Sequence, residues 1–175
     1  MIERTIILDN VVQSNVPNLD KNSRIYVEER WYNLDTYHDY QNVCLSLIKI
    51  ASDYYDLSSC TGYEFWAHHN NRPTEWHIDK DERRLWKDGV INCPLCSIVY
   101  YPFVEDLIDG KLFLLEGESD LKDDIIITPQ LNRLIIFPPQ KKHYVGEFMG
   151  KRSSIIVNPW DGSKYLYPDP KLKIY

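Results

Sequence analysis

The sequence predicts a mainly β domain with a flanking helix, and three observations lead there. Aromatic residues make up 13% of the chain and Ile and Val are frequent, a composition that suits pleated, half-buried surfaces better than helices. Only one clear helical pattern stands in the first third. From Gly62 onward, short apolar runs recur between Gly, Pro, Asn and Asp, the punctuation of a sandwich or jelly roll.

The elements follow in order. Thr5-Ile6-Ile7-Leu8 is a strand-like run, and a polar stretch fills the chain from there to residue 34. A helix is expected over 36–55, because Tyr40, Val43, Leu47, Ile48, Ala51 and Tyr54 fall at three- and four-residue steps. Asp35 or Thr36 stands where its cap is wanted. That stripe reads as the face laid on a sheet. Strands are expected over 62–68, 74–79, 96–101, 111–116, 124–128, 133–137, 142–148 and 152–158. A helix followed by about eight strands is the order of a double-stranded β-helix (jelly roll, cupin-like) whose N-terminal helix supports one sheet. No internal repeat or low-complexity linker divides the chain. Residues 1–175 therefore read as a single domain with its core over 62–160, long enough to bury a hydrophobic interior.

Composition narrows the partners. The formal charge is 20 − 26 = −6, whereas tight nucleic-acid binding needs a Lys/Arg footprint. Arg83-Arg84 and Lys141-Lys142 are too short to supply one, so nucleic acid is not an expected partner. No apolar run approaches the length of a membrane span, and no secretory leader is recognised. The expected setting is cytoplasmic, with no membrane partner. Cys44, Cys60, Cys93 and Cys96 then read as reduced thiols.

The chemistry concentrates in Thr74-Glu75-Trp76-His77-Ile78-Asp79. On a strand, His77 and Asp79 point to one face and Ile78 to the other. One imidazole and one carboxylate side by side make two ligands for a divalent metal. His-x-Asp alone is common by chance, so the third ligand matters. The histidines are His38, His68, His69, His77 and His143, and His143 follows the apolar run 133–137 and the turn Pro138-Pro139. Two histidines and a carboxylate form a facial triad, which leaves three adjacent positions open and suits Fe(II) that must bind a co-substrate and O₂ together. Nine residues beyond His143 stands Arg152, with Ser154 on the same face of the next strand. Gly146 and Gly150 bracket a hairpin turn that would run the Arg152 strand back beside the His143 strand. A guanidinium binds a carboxylate through two parallel hydrogen bonds and a hydroxyl adds a third, so this pair reads as a dicarboxylate anchor beside the metal.

These residues resemble the Fe(II)- and 2-oxoglutarate-dependent dioxygenase superfamily, in its prolyl-hydroxylase-like branch. The resemblance rests on His77-Ile78-Asp79, Ser97-Ile98-Val99-Tyr100-Tyr101, Asp109-Gly110-Lys111-Leu112, His143 and Arg152-Ser153-Ser154, in that order over residues 62–160. It implies that His77, Asp79 and His143 hold the iron and that Arg152 pairs with the distal carboxylate of 2-oxoglutarate. Tyr101 matches a position whose phenol often contacts that carboxylate, or else is a core tyrosine. Ser154 matches an Arg-x-Ser pairing of some branches. The implied reaction consumes 2-oxoglutarate and O₂, releases succinate and CO₂, and hydroxylates a C–H bond of a peptidyl residue or a small metabolite; the cofactor does the hard chemistry. Asp109-Gly110 departs from the Gly-Gly usual in the branch. The alternative is a cupin-like metalloprotein with the same ligands and no 2-oxoglutarate, and Arg152 separates the two.

Other signals are weaker. Cys93-Pro94-Leu95-Cys96 has the spacing of a metal half-site without a second pair, and reads as buried strand-entry residues. His68-His69 either lines the cavity, with His68 facing the co-substrate, or is an exposed pair near a turn. Trp66 and Trp76 either wall the site or belong to the core. The acidic stretch 116–124 reads as a solvated loop, Asp81-Glu82 as a turn after the ligand strand, and 165–170 as an extended tail.

Overall fold

The computed structural model describes residues 4–11, 27–69, 73–115 and 125–164. The elements among them are β1 (Ile6–Leu8), β2 (Val27–Asn33), α1 (Gln41–Ala51), β3 (Gly62–His69), α2 (Glu82–Asp88), β4 (Ser97–Asp109), β5 (Leu112–Leu114), β6 (Ile125–Ile127), β7 (Arg133–Phe137), β8 (His143–Val145) and β9 (Phe148–Trp160). The strands form a six-stranded sheet in the order β1-β7-β4-β9-β3-β2 and a three-stranded sheet in the order β6-β5-β8. All neighbouring strands in both sheets pair antiparallel. The mainly β jelly-roll expectation is met. The acidic stretch 116–124 and the tail 165–170 lie outside the described residues.

The large sheet separates two interiors. Side chains alternate across a strand, so Tyr63, Phe65 and Ala67 of β3, Ile98 and Tyr100 of β4, and Ile155 and Val157 of β9 share one face. They pack with Val43, Cys44, Leu47 and Ala51 of α1 in a single buried cluster. The opposite face carries Tyr101, Ile135 and Phe137, which pack with Leu112, Leu114 and Ile127 of the small sheet. Each fully buried Leu or Ile contributes about 1.5–3 kcal/mol, so the helix is held by its apolar stripe. It needs no cap: Tyr40 at its N-cap makes no side-chain capping bond.

Several expectations are corrected. The helix is shorter than 36–55, because the chain before Tyr40 turns on the bond from the Thr36 N–H to the Asn33 carbonyl. Neither Asp35 nor Thr36 caps it. Tyr54 is 45% exposed, and Tyr55 is buried in its place, donating its hydroxyl to the Arg4 carbonyl at 2.6 Å. The polar stretch before residue 34 contains β2, an edge strand on β3. Asp81-Glu82 is no simple turn. The Asp81 carboxylate accepts from the N–H groups of Arg83 and Arg84 at 3.1 and 3.0 Å, an N-cap. Gly89, left-handed at φ 68°, closes the helix.

Two corrections touch the site. Residues 74–79 do not form a strand; a single bridge joins His77 to His143. Along this segment the Thr74 N–H donates to the Val145 carbonyl at 3.1 Å and the His77 N–H to the His143 carbonyl at 3.0 Å. Between these bonds Glu75 and Trp76 on one side oppose Tyr144 alone on the other, the signature of a bulge. The extra residue breaks the ladder, and the Thr74 hydroxyl accepts the Val145 N–H in its stead at 2.9 Å. Second, the Arg152 strand does not run beside the His143 strand. β8 pairs with β5 in the small sheet, while β9 pairs with β3 and β4 in the large one. The chain at 146–147 crosses between sheets. The left-handed Gly150 (φ 92°) lies on β9, where an added Cβ would sit 2.1 Å from the Asp106 carbonyl oxygen.

Among the described residues no helix is long and apolar enough to cross a membrane. Leu47 is wholly buried between α1 and the sheet. Leu47→Ala is expected to lower stability by about 2–5 kcal/mol, read as a lower urea midpoint at unchanged slope.

Candidate metal and co-substrate site

The space between the two sheets holds a cavity lined by Trp66, His68, Val99, Tyr101, Arg152, Ser154 and Ile156 from the large sheet. Thr74, His77, Asp79, Leu112, His143 and Val145 line it from the other side. The bulge explains why Thr74 and His77, three residues apart, both reach it. His77 and Asp79, two apart, share the face expected of them.

The structure brings His77, Asp79 and His143 together, with one ligand atom of each within 4.8 Å of the others. What suits these three to a cation is the disposition of their remaining polar atoms. Nδ1 of His77 lies 2.7 Å from the Glu75 carbonyl and Nδ1 of His143 lies 2.9 Å from the Lys141 carbonyl. A carbonyl only accepts, so Nδ1 carries the proton in both rings and Nε2 is left as the basic nitrogen. The two rings reach this state by the same device, a bond to the carbonyl two residues earlier. Burial pushes His143 below the ordinary imidazole value, with the Asp79 carboxylate pulling upward and His77 downward; His143 is therefore neutral and able to ligate at neutral pH. Oδ2 of Asp79 accepts from the Ser97 hydroxyl, while Oδ1 lies 3.8 Å from Nε2 of His143. Bonds of about 2.1 Å put neighbouring ligands of one ion about 3 Å apart, so side-chain shifts of an ångström or less would close the three around a metal. The donor set fits Fe(II). Two imidazoles and one carboxylate leave open positions, and no thiolate competes.

Backbone bonds hold this arrangement. The His143 N–H donates to the His77 carbonyl at 2.8 Å, the return bond of the bridge, and the Asp79 N–H donates to the Pro139 carbonyl at 3.1 Å. Downstream, the Asp81 N–H donates to the Asn92 carbonyl at 2.8 Å. His77 is exposed and stands at the rim, whereas Asp79 and His143 are buried.

Arg152 lies deeper and is 5% exposed. Its Nη1 donates to the Gly110 carbonyl at 2.9 Å, its guanidinium is 4.6 Å from the Phe148 ring centre and 5.8 Å from that of Tyr101, and it is hydrogen-bonded to the Tyr101 hydroxyl. Burial lowers Arg152 from its ordinary value without discharging a guanidinium. Burial likewise raises the Tyr101 phenol, against the pull of Arg152 and Arg133, so Tyr101 stays a neutral hydroxyl. Ser154 follows Arg152 on the same face, and it too lines the cavity.

Asp109 and Gly110 are both left-handed, at φ 62° and 70°. Aspartate is among the few residues that tolerate this region, so Asp109 accommodates a turn for which glycine is the usual choice. Gly110 has no such latitude, because a Cβ would lie 2.9 Å from that of Phe148, the ring beside Arg152.

Of the remaining sequence signals, His68 and Trp66 line the cavity. Trp76 is neither wall nor core: it is 44% exposed and packs against Tyr144 at 4.3 Å. Cys96 is buried and Cys93 half-buried, neither in a disulfide, and neither belongs to the metal-competent cluster found among the described residues. Ser97, Thr74 and Gly110 are supporting residues that sequence reading gave no role. Ser97 had a signal in the run Ser97-Ile98-Val99-Tyr100-Tyr101, where alternation puts it on the face shared with Val99 and Tyr101.

No protein-family profile matches the sequence, and no curated protein matches it. Solved structures do. A prolyl 4-hydroxylase from Pseudomonas putida superposes with a TM-score of 0.54 at 14% identity, covering 75% of this chain and 67% of that one. The viral collagen prolyl hydroxylase of Paramecium bursaria Chlorella virus 1 gives 0.54 at 11%, covering 89% of each chain. A prolyl hydroxylase from Trichoplax adhaerens, in complex with a peptide fragment of the hypoxia inducible factor oxygen degradation domain, gives 0.53 at 14%, covering 90% and 83%. The chain thus has the double-stranded β-helix fold of prolyl-hydroxylase-like 2-oxoglutarate and Fe(II) oxygenases.

Ser97→Ala removes the bond that orients the Asp79 carboxylate. Loss of such an outer partner typically weakens metal binding by about 10–100-fold, and a Mn(II) titration of the variant is expected to show a loss in that range with an unchanged far-UV spectrum.

Proposed function

We propose that this protein is an oxygenase dependent on Fe(II), 2-oxoglutarate and O₂. It hydroxylates a C–H bond of a peptidyl residue, prolyl-like, or of a small metabolite, and releases succinate and CO₂. The observation that carries this reading is the convergence of two Nδ1-tethered imidazoles and one Oδ2-tethered carboxylate at the mouth of a cavity whose wall includes a buried arginine. The likeness in fold to prolyl hydroxylases supports it.

His77 and His143 through Nε2, and Asp79 through Oδ1, would hold the metal. Fe(II) bound there with 2-oxoglutarate supplies the oxidising chemistry. The chain itself binds, orients and excludes water. Arg152 offers the distal carboxylate a buried positive charge, worth more there than at a wet surface, and Ser154 and the Tyr101 hydroxyl add neutral hydrogen bonds. Trp66, Val99, Leu112, Val145 and Ile156 make the intervening wall apolar, which suits the methylene carbons of a short dicarboxylate and keeps the site dry. Lys141 and Glu75 act through their carbonyls alone, fixing the proton on Nδ1 of each imidazole so that both rings present a lone pair.

An anaerobic titration with Fe(II) and 2-oxoglutarate tests this. The wild type is expected to develop the weak visible charge-transfer band of the chelate. His77→Ala is expected to abolish it, and Arg152→Ala to raise the 2-oxoglutarate concentration required by about tenfold or more. Metal binding without the band would favour a cupin-like metalloprotein that does not use 2-oxoglutarate, and no metal binding would overturn both readings.

A further inference from the structure

His68 lies on the cavity face of β3 and has no part in the site as drawn from the motif residues. In the β3–β9 ladder His68 is the direct partner of Ser154, as Trp66 is of Ile156, and all four line the cavity with Arg152. Directly opposed residues on one face of an antiparallel pair hold their Cβ atoms about 4.5–5.5 Å apart, and diagonal neighbours about 7–8 Å. His68 therefore rises beside the Ser154 hydroxyl and diagonally from the Arg152 side chain. His38, by contrast, lies against the other face, stacked on Tyr32 at 3.9 Å and bonded to the Tyr63 hydroxyl at 2.7 Å, where its role is structural.

The chemistry of this position follows from its surroundings. Burial, followed by the charge of Arg152, pushes the His68 imidazole down to about 4, so the ring is neutral at physiological pH. A second cation beside a buried guanidinium would repel it and leave one carboxylate over-compensated. A neutral imidazole avoids this and still donates one N–H.

Resting on the oxygenase reading above, we propose that His68 is a co-substrate-binding residue that donates a hydrogen bond to the carboxylate paired with Arg152. The anion pocket then has a wall on each side of β9. Tyr101 on β4 stands on one side and His68 on β3 on the other, with Arg152 and Ser154 of β9 between them. One charge meets one charge, and the neutral donors around it set the orientation of the carboxylate plane.

The test uses the full chain loaded with Mn(II), with ligand binding followed by calorimetry. The ligands are 2-oxoglutarate and 2-oxovalerate, which has the same carbon chain without the distal carboxylate. His68→Leu, which keeps an apolar side chain of comparable bulk, is expected to weaken 2-oxoglutarate about tenfold or more, the usual effect of losing a hydrogen bond to a charged group. It should leave 2-oxovalerate and Mn(II) affinities as in the wild type. His68→Gln, which keeps a donor, is expected to recover most of the loss. Unchanged 2-oxoglutarate binding by His68→Leu would overturn the assignment, and so would an equal loss for both ligands, which would mark His68 as a wall of the cavity only. A wild-type protein that binds Mn(II) but neither ligand would overturn the oxygenase reading itself.

Discussion

The large sheet must satisfy two different neighbours at once, and the two-residue alternation of its central strands is what allows it. On β3, β4 and β9 every second side chain packs into the layer beneath α1, and the residues between them face the small sheet. The first set is aromatic and aliphatic almost throughout. The second mixes Val99, Ile156 and Trp66 with Tyr101, Arg152, Ser154 and His68. Without the helix layer the strands would have one buried face only, and that face would be the polar one. The helix-facing cluster supplies the apolar burial that holds a sheet whose other face carries a buried guanidinium, a group costly to remove from water.

The same division of labour recurs at smaller scale. Each of the three candidate ligand residues has one polar atom bonded to the protein and another left for a metal: Nδ1 against Nε2 in both histidines, Oδ2 against Oδ1 in Asp79. Buried polar groups are normally satisfied, and here the satisfying bonds are also those that fix tautomer and ring orientation. At the candidate metal site, side-chain orientation and hydrogen-bond satisfaction are one requirement met by the same carbonyls and the Ser97 hydroxyl.

Much of this was legible in the sequence. The β-rich order, the helix stripe through Val43, Leu47 and Ala51, and the strand 133–137 all follow from periodicity, because burial on one face repeats at a fixed step. Short polar spans carried no such signal. β2 is an edge strand of the composition Val-Glu-Glu-Arg-Trp-Tyr-Asn, and α2 has only seven residues, too few for a helical period to emerge. The candidate triad could be picked from His77-Ile78-Asp79 and His143 because ligand chemistry restricts residue types. Its supports could not, since a backbone carbonyl such as that of Glu75 or Lys141 has no identity in the sequence. The sheet exchange between β8 and β9 was equally hidden: a pair of glycines marks a change of direction without saying which sheet the chain enters.

The bulge before His77 leaves that segment with little ladder to define its register, and a slip of one residue would turn each side chain to the opposite face. Trp76 and Tyr144, the immediate neighbours of His77 and His143, meet on the outside at 4.3 Å, and Tyr144 in turn stacks on Phe113 at 4.5 Å. A slipped segment would have to separate this indole from its phenol and bring the tryptophan into the space of an imidazole. The aromatic row on the outer surface thus acts as a key for the inner one: its bulk admits a single alignment, and the imidazoles inherit their aim from rings that never enter the cavity.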